Sequence, residues 1–397
     1  AGYHTAVVGK WHLGLESPNT PNERGFDFFH GFLGDMMDSY TTHLRHGNNY
    51  MHRNTQVIAP EGHATDLFSA WAADFLRRRA EHEDQPFFLY LAYNAPHFPI
   101  EPPAEWLARV VQRAPRMDEK RAKNVALVEH LDDGIGRVLA ALAETGLDKN
   151  TLVVFTADNG GSLPHGQSNQ PWRDGKQSHY DGGLRVPFMV RWPGVTSPRQ
   201  EDALISHADV VPTLLRAAGL PDNVLECELP GRDLEPLLRQ GSSADWQERS
   251  IYAEYLTPWP YGHLMLRRGP YKLIRSREDG QERQALYDVA NDPWELRDLA
   301  DPATVVKTIA GTTTWGLNTV VWDGTQDGGG LAPKSGAYKF RIKAEDSVGA
   351  SSWTNITPWT ATMRSAAHSF TRRRESPSTG IRQARSSGRS TSPAATT

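Results

Sequence analysis

The 397-residue chain carries 43 Lys+Arg against 47 Asp+Glu, a net charge of -4, with 38% hydrophobic residues and one cysteine. A single thiol excludes a disulfide framework, a cysteine-built zinc finger and an iron–sulfur cluster, and no apolar run reaches the ~18 residues of a membrane-spanning helix. Residues 364–397 hold seven Arg, no Lys and one acid, and the remaining body, with 36 Lys+Arg against 46 Asp+Glu, is too acidic for general phosphate-backbone binding.

The chain opens AGYHTAVVGKWHLG, with no initiator Met, charged n-region or apolar h-region, and so reads as the interior of a longer gene product. Four apolar runs bounded by loop chemistry read as buried parallel strands: 5–9, 86–92 (PFFLYLA), 151–157 (TLVVFTA) and 186–191 (VPFMVR). Helical patterns lie between them; in the clearest, Val128, Leu131, Ile135, Val138, Leu139 and Leu142 recur at helical spacing, with Gly146 as the C-terminal glycine. Strands alternating with helices predict an α/β sheet, in which ligands bind beyond the carboxyl ends of the strands.

Those ends carry the chemistry. Lys10 and His12 follow the first strand, Asn94 and His97 the second, and Asp158 and Asn159 the third, while Lys176, His179 and Asp181 precede the fourth. Asp158 and Asn159 offer only oxygen donors, which suit a hard cation such as Ca²⁺ or Mg²⁺ rather than zinc; the same pair also fits an Asx-turn ahead of Gly160 and Gly161. Lys10 and His12 point the same way if the segment stays extended. Prolines on either side hold His97. Each lone Lys or His is more often an ordinary polar residue, but two lysines, two histidines and a hard cation on one rim would stabilise a compact oxyanion, sulfuryl or phosphoryl, during its transfer. Cys227 reads as incidental.

From 246 to 302 the pattern changes to alternating strands, SIYAEY, HLMLRRGPYKLIRS and QALYDV, expected as a small antiparallel sheet with a closing helix. Residues 303–362, Thr/Val/Trp-rich with a turn at DGGG, read as a separate Ig-like β domain, and 363–397 as a disordered basic tail.

An ordered set of segments then resembles the type I sulfatases of the alkaline-phosphatase-like superfamily: GYHTAVVGKWHLG, ERGFDFFHGFLG, FFLYLAYNAPHFPIEPP, TLVVFTADNGG, DGKQSHYDGGLRVPFMVRWPG, ISHADVVPTLLRAAGLP, LPGRDLEPLL and LYDVANDPWELRDLA. The resemblance covers roughly residues 1–300. It implies an alkaline-phosphatase-like sheet flanked by helices over 1–245, with the antiparallel subdomain at 246–302. It further implies calcium, one divalent cation, on Asp158 and Asn159, with Lys10, His12, His97 and Lys176 as sulfate-binding and catalytic groups. His12 would help eliminate sulfate, and His97 and Lys176 would act on the leaving-group oxygen. The family's Asp-Asp metal pair and its Cys/Ser-x-Pro-x-Arg segment, whose Cys or Ser becomes formylglycine, are expected ahead of Ala1, so the chain as given is expected to be inactive. The substrate implied is a sulfated carbohydrate or an aryl sulfate, with no nucleic acid partner, in a periplasmic or extracellular location. Residues 318–345 resemble the Ig-like domain of the flagellar hook-capping protein. Two further readings remain: a phosphodiesterase or phosphatase of the same superfamily, whose two-zinc sites usually place Asp-His where Asp158-Asn159 stands, and a non-catalytic carbohydrate-binding relative. Substrate choice is expected in loops 35–60 and 161–180, which include Tyr40, His43, Arg45, His46, Tyr50 and Arg53.

Overall fold

The computed structural model describes residues 2–300, apart from 83, 221–227, 242–243, 257–261 and 279–280, and six short strands beyond residue 317. It divides into two units, 1–298 and 299–397. Cys227 and residues 373–397 lie outside the described residues.

The first unit is a mixed α/β body. Strands β1 (His4–Lys10), β2 (Phe28–Phe32), β5 (Met51–Arg53), β6 (Gln56–Val57) and β7 (Phe87–Ala92) form a sheet in the order β6-β5-β2-β1-β7, while β3 (Leu44–Arg45) and β4 (Asn48–Asn49) make a small hairpin beside it. β1 runs parallel to both β2 and β7, as the apolar runs predicted. Ala6, Val7 and Val8 in β1 are fully buried, which is why that run needs no polar face.

Helix α1 (Ala64–Ala80) packs on the sheet, α3 (Glu119–Glu144) packs on α1, and α2 (Ala104–Arg113) packs on α3. The Asp118 carboxylate caps α3 by accepting from Arg121 N at 3.1 Å, and the helix stops at Gly146, whose φ of 72° fits a C-terminal glycine. Its buried face is rotated from the expected one: Ala126, Leu127, His130, Val138 and Leu142 are buried, whereas Val128 and Leu139 stay exposed. Phe68 and Leu76 of α1 join Phe32 and Leu127 in the main core; each such side chain contributes about 2–3 kcal/mol by leaving water.

Strands β8 (Val153–Thr156) and β9 (Phe188–Arg191) correct the expected parallel arrangement. They pair with each other, antiparallel, in a separate two-stranded sheet. Between them the chain folds back through a loop and the one-turn helix α4 (Asp181–Leu184) instead of making a crossover helix, so it re-enters in the opposite direction. β7, β8 and β9 are half-buried to exposed rather than buried.

α5 (Val210–Ala217), α6 (Glu235–Gln240) and α7 (Ala244–Gln247) lead to an antiparallel meander: β10 (Ser250–Leu256), β11 (Gly262–Arg268), β12 (Tyr271–Glu278) and β13 (Gln281–Asp288). The sheet matches the expectation, but no helix closes it among the described residues. The Asp288 carboxylate accepts from the Ala290 and Asn291 amides, and Glu295 takes φ 55°, so residues 289–298 run as turns.

In the second unit the described strands make three antiparallel ladders, of which the longest join Asn318–Trp322 to His368–Arg372 and Arg341–Glu345 to Ser351–Asn355.

Candidate active site

Three strand ends and one loop bring the expected residues to one rim. Lys10 closes β1, the Asn94–His97 turn follows β7, and Asp158 and Asn159 follow β8. The loop returning toward α4 is fastened to them. Lys176 N donates to Gly161 O at 3.0 Å, Gly160 N to Gly183 O at 2.9 Å, and Gly182 N to Arg173 O at 2.8 Å. These backbones lie so close that a Cβ on Gly160 would stand 1.8 Å from Gly182 O and one on Gly183 would stand 2.2 Å from Ser178 O. Gln167 ties the same loop to the His97 turn: its Oε1 accepts from Ser162 N at 2.6 Å and its Nε2 donates to Pro96 O at 2.8 Å.

The convergence shows in the electrostatics. Burial pushes the Lys10 ammonium below its usual range, with Lys176 adding to that shift and Asp158 and Asp35 opposing it. Burial also lowers His97; a carbonyl hydrogen bond resists, and Lys10 and Lys176 lower it further. His12 is lowered by burial and then by Lys10. Tyr90 on β7 is raised by burial and then by Asp158. Lys10 therefore lies within electrostatic reach of Asp158 and Lys176, and His12 and His97 within reach of Lys10 and Lys176.

Local geometry sets what each can do. His97 Nδ1 donates to Phe98 O at 2.8 Å, which leaves Nε2 as the free nitrogen. His12 does not continue the extended strand. Its φ of 56° is left-handed, a conformation rare for a non-glycine residue and held here by a bond from its N–H to Leu33 O at 3.1 Å. Asn159 Nδ2 donates to Gly160 O at 2.8 Å, leaving Oδ1 open, and the exposed Asp158 carboxylate has no hydrogen-bond partner among the described residues. Two free oxygens fit part of a hard cation's shell; six to eight such donors are typical for calcium, so these two need others.

A second cluster, His63, Asp66 and His130, places its ligand atoms within 4.8 Å of one another. Three of its four ring nitrogens are already engaged, and the buried His130 Nδ1 has no partner among the described residues. His63 Nδ1 accepts from Thr65 N and its Nε2 bonds Glu101 O at 3.0 Å, while His130 Nε2 meets Asp66 Oδ1 at 3.1 Å. That set joins α1 to α3.

Other residues add to the expected list or depart from it. Asp35 holds Arg45 through two bonds of 2.9 Å and contributes charge to Lys10 and His12. Tyr40 and His43 are buried rather than substrate-facing: Tyr40 Oη donates to His97 O at 2.9 Å, and His43 Nε2 bonds Gly62 O. Lys272 is fully buried on β12; the signal that could have found it is a lysine in the inward register with Ile274, two residues on.

A mixed α/β body whose strand ends bring Lys10, His12, His97, Asp158, Asn159 and Lys176 toward one rim has the alkaline-phosphatase-like fold. The family model described as Sulfatase matches residues 1–220, and one described as N-sulphoglucosamine sulphohydrolase, C-terminal, matches 169–314; the chain belongs to the sulfatase family. It is 32% identical over 265 residues to N-acetylgalactosamine-6-sulfatase of Rattus norvegicus, covering 62% of this chain and 48% of that one. It is 27% identical over 352 residues to an endo-4-O-sulfatase of Bacteroides thetaiotaomicron, covering 75% and 67%. A solved structure of Ps i-CgsB in complex with k-i-k-neocarrahexaose aligns with a TM-score of 0.67 at 30% identity, over 75% of this chain and 67% of that one. The chain spans about half the length of the N-acetylgalactosamine-6-sulfatases it matches.

Proposed function

We propose that the chain forms the sulfate-binding and leaving-group side of a sulfuric ester hydrolase acting on sulfated carbohydrates or aryl sulfates. The observation that carries this reading is the convergence of Lys10, His12, His97 and Lys176 with the oxygen donors Asp158 and Asn159 on one rim. The Lys10 and Lys176 ammonium groups hold the sulfuryl oxygens and offset the charge that grows on them as the S–O bond breaks. In the free site burial and these ammonium groups disfavour the His97 imidazolium. An arriving sulfate ester brings the opposite charge, which favours the imidazolium and lets Nε2 or Lys176 pass a proton to the departing oxygen. The exposed His12, close enough to Lys10 to feel its charge, accepts the proton whose removal releases sulfate. Calcium, held in part by Asp158 and Asn159, would supply a fixed positive charge at the sulfuryl oxygens, and a formylglycine would supply the attacking oxygen. The names of the relatives and the oligosaccharide complex support a carbohydrate ester over an aryl one. The family resemblance supports a periplasmic or extracellular location, and the antiparallel ladders beyond residue 317 support an Ig-like second unit.

Calorimetry with inorganic sulfate tests this reading. Wild-type chain should bind sulfate, and Lys176→Met should bind it at least about tenfold more weakly; equal affinities would remove the basis for the assignment.

A further inference from the structure

The search for uses beyond the rim ends at a buried ionic cluster behind it. Lys272 Nζ lies 2.6 Å from Asp181 Oδ1 and 2.7 Å from Glu295 Oε1, and all three residues are at most 5% exposed. Glu295 Oε2 also accepts from Asp181 N at 2.7 Å, so one carboxylate holds both the lysine and the first residue of α4. Arg173 completes the clamp. Its guanidinium donates to Glu295 O at 2.5 Å and lies 3.8 Å from the Tyr180 ring centroid, while its carbonyl accepts from Gly182 N.

Buried ion pairs add little net stability over well-packed apolar residues, so such a cluster is better explained by the geometry it enforces. The segment enforced is the loop that carries Lys176. Asp174 at φ 62° and Gln177 at φ 74° flank that lysine in left-handed conformations that non-glycine residues seldom adopt. Strain of this kind persists only where surrounding structure fixes both sides. Here one side is fixed by Gly161 O on Lys176 N, and the other by Arg173 and Asp181 bound to Glu295 and Lys272.

We propose that Lys272, Glu295, Asp181 and Arg173 are positioning residues for Lys176, through which the C-terminal antiparallel sheet sets the sulfate-binding geometry. This rests on the reading of Lys176 as a sulfate ligand.

The test uses the full 397-residue chain and two variants. Glu295→Gln keeps an acceptor for Asp181 N and removes one charge; Arg173→Lys, at an exposed residue, keeps the charge and loses the stacked fork, so it serves if Glu295→Gln does not fold. Hydrogen exchange by mass spectrometry should show peptides over 173–183 exchanging at least about tenfold faster while peptides of α3 are unchanged. Inorganic sulfate affinity should fall by about tenfold, and the same substitution added to Lys176→Met should cause no further loss. Faster exchange spread evenly over the chain, sulfate affinity within about twofold of wild type, or losses that multiply in the double variant would overturn the proposal. If wild type binds no sulfate, the sulfuryl reading fails on its own, and the exchange pattern alone then decides whether the cluster holds the loop.

Discussion

Replacing Lys10 by Met removes the ammonium that the rim geometry makes most consequential. Lys10 is half-buried, and its charge lowers His97 and His12 while Asp158 and Asp35 oppose its own shift. An ammonium about 4 Å from an oxyanion is worth about 4 kcal/mol at an effective dielectric near 20. Partial exposure and the retained Lys176 reduce that to about 2 kcal/mol, or about 30-fold in sulfate affinity. The same substitution must raise the titration midpoints of both His97 and His12, because one of the charges disfavouring their protonation is gone. Histidine ring resonances followed by NMR from pH 4 to 8, alongside sulfate calorimetry, check both effects. A weakened sulfate affinity with unmoved midpoints would place Lys10 apart from the imidazoles and refute the shared rim; unmoved affinity would refute its role as an anion ligand.

Asp158 should show opposite signs with and without calcium. In chelator Asp158→Ala should bind sulfate more tightly than wild type, since an anion leaves the site; with calcium present wild type should gain affinity and the variant should not, as calorimetry would show. His30, stacked on Trp71 at 3.5 Å, is lowered to about 4, chiefly by burial, and His179 likewise to about 4. A depressed histidine pKa leaves folding unaffected above the unfolded value near 6.5; below it the unfolded chain takes the proton first, so stability should fall as pH drops from about 6.5 to 4. His30→Phe keeps the stacking and should remove part of that loss, read from denaturant midpoints at pH 7 and 4.5. Arg249→Met would leave the fully buried Asp209, now bonded twice to that guanidinium at 2.6 Å, without its cationic partner, at a cost of about 3–5 kcal/mol. Arg239→Met, which breaks an exposed pair with Glu235, should cost under about 1 kcal/mol in the same unfolding measurement.

The site was legible where chemistry sits directly after an apolar run. Lys10 ends β1 and His97 follows β7, and the parallel pairing of those strands carries both positions into space, whereas Asp158 follows β8 in a separate sheet. Direction was not legible in the run 186–191, because an apolar segment reads the same both ways and the connection that decides it is loop rather than helix. His12 defeated the extended reading through one left-handed torsion, which no side-chain pattern encodes. Tyr40 and His43 look like loop residues by sequence, yet tertiary bonds to His97 O and Gly62 O bury them. The Lys272–Asp181–Glu295 cluster joins segments about a hundred residues apart in sequence, and such pairing leaves no local spacing to read.

The most direct measurement compares the affinity of the chain for a sulfated carbohydrate, the unsulfated sugar and the corresponding phosphate ester by calorimetry. The expected result is at least about tenfold tighter binding of the sulfate ester than of either competitor, lost in Lys10→Met and Lys176→Met. Equal affinity for all three, or preference for the phosphate, would contradict a rim built for a sulfuryl group.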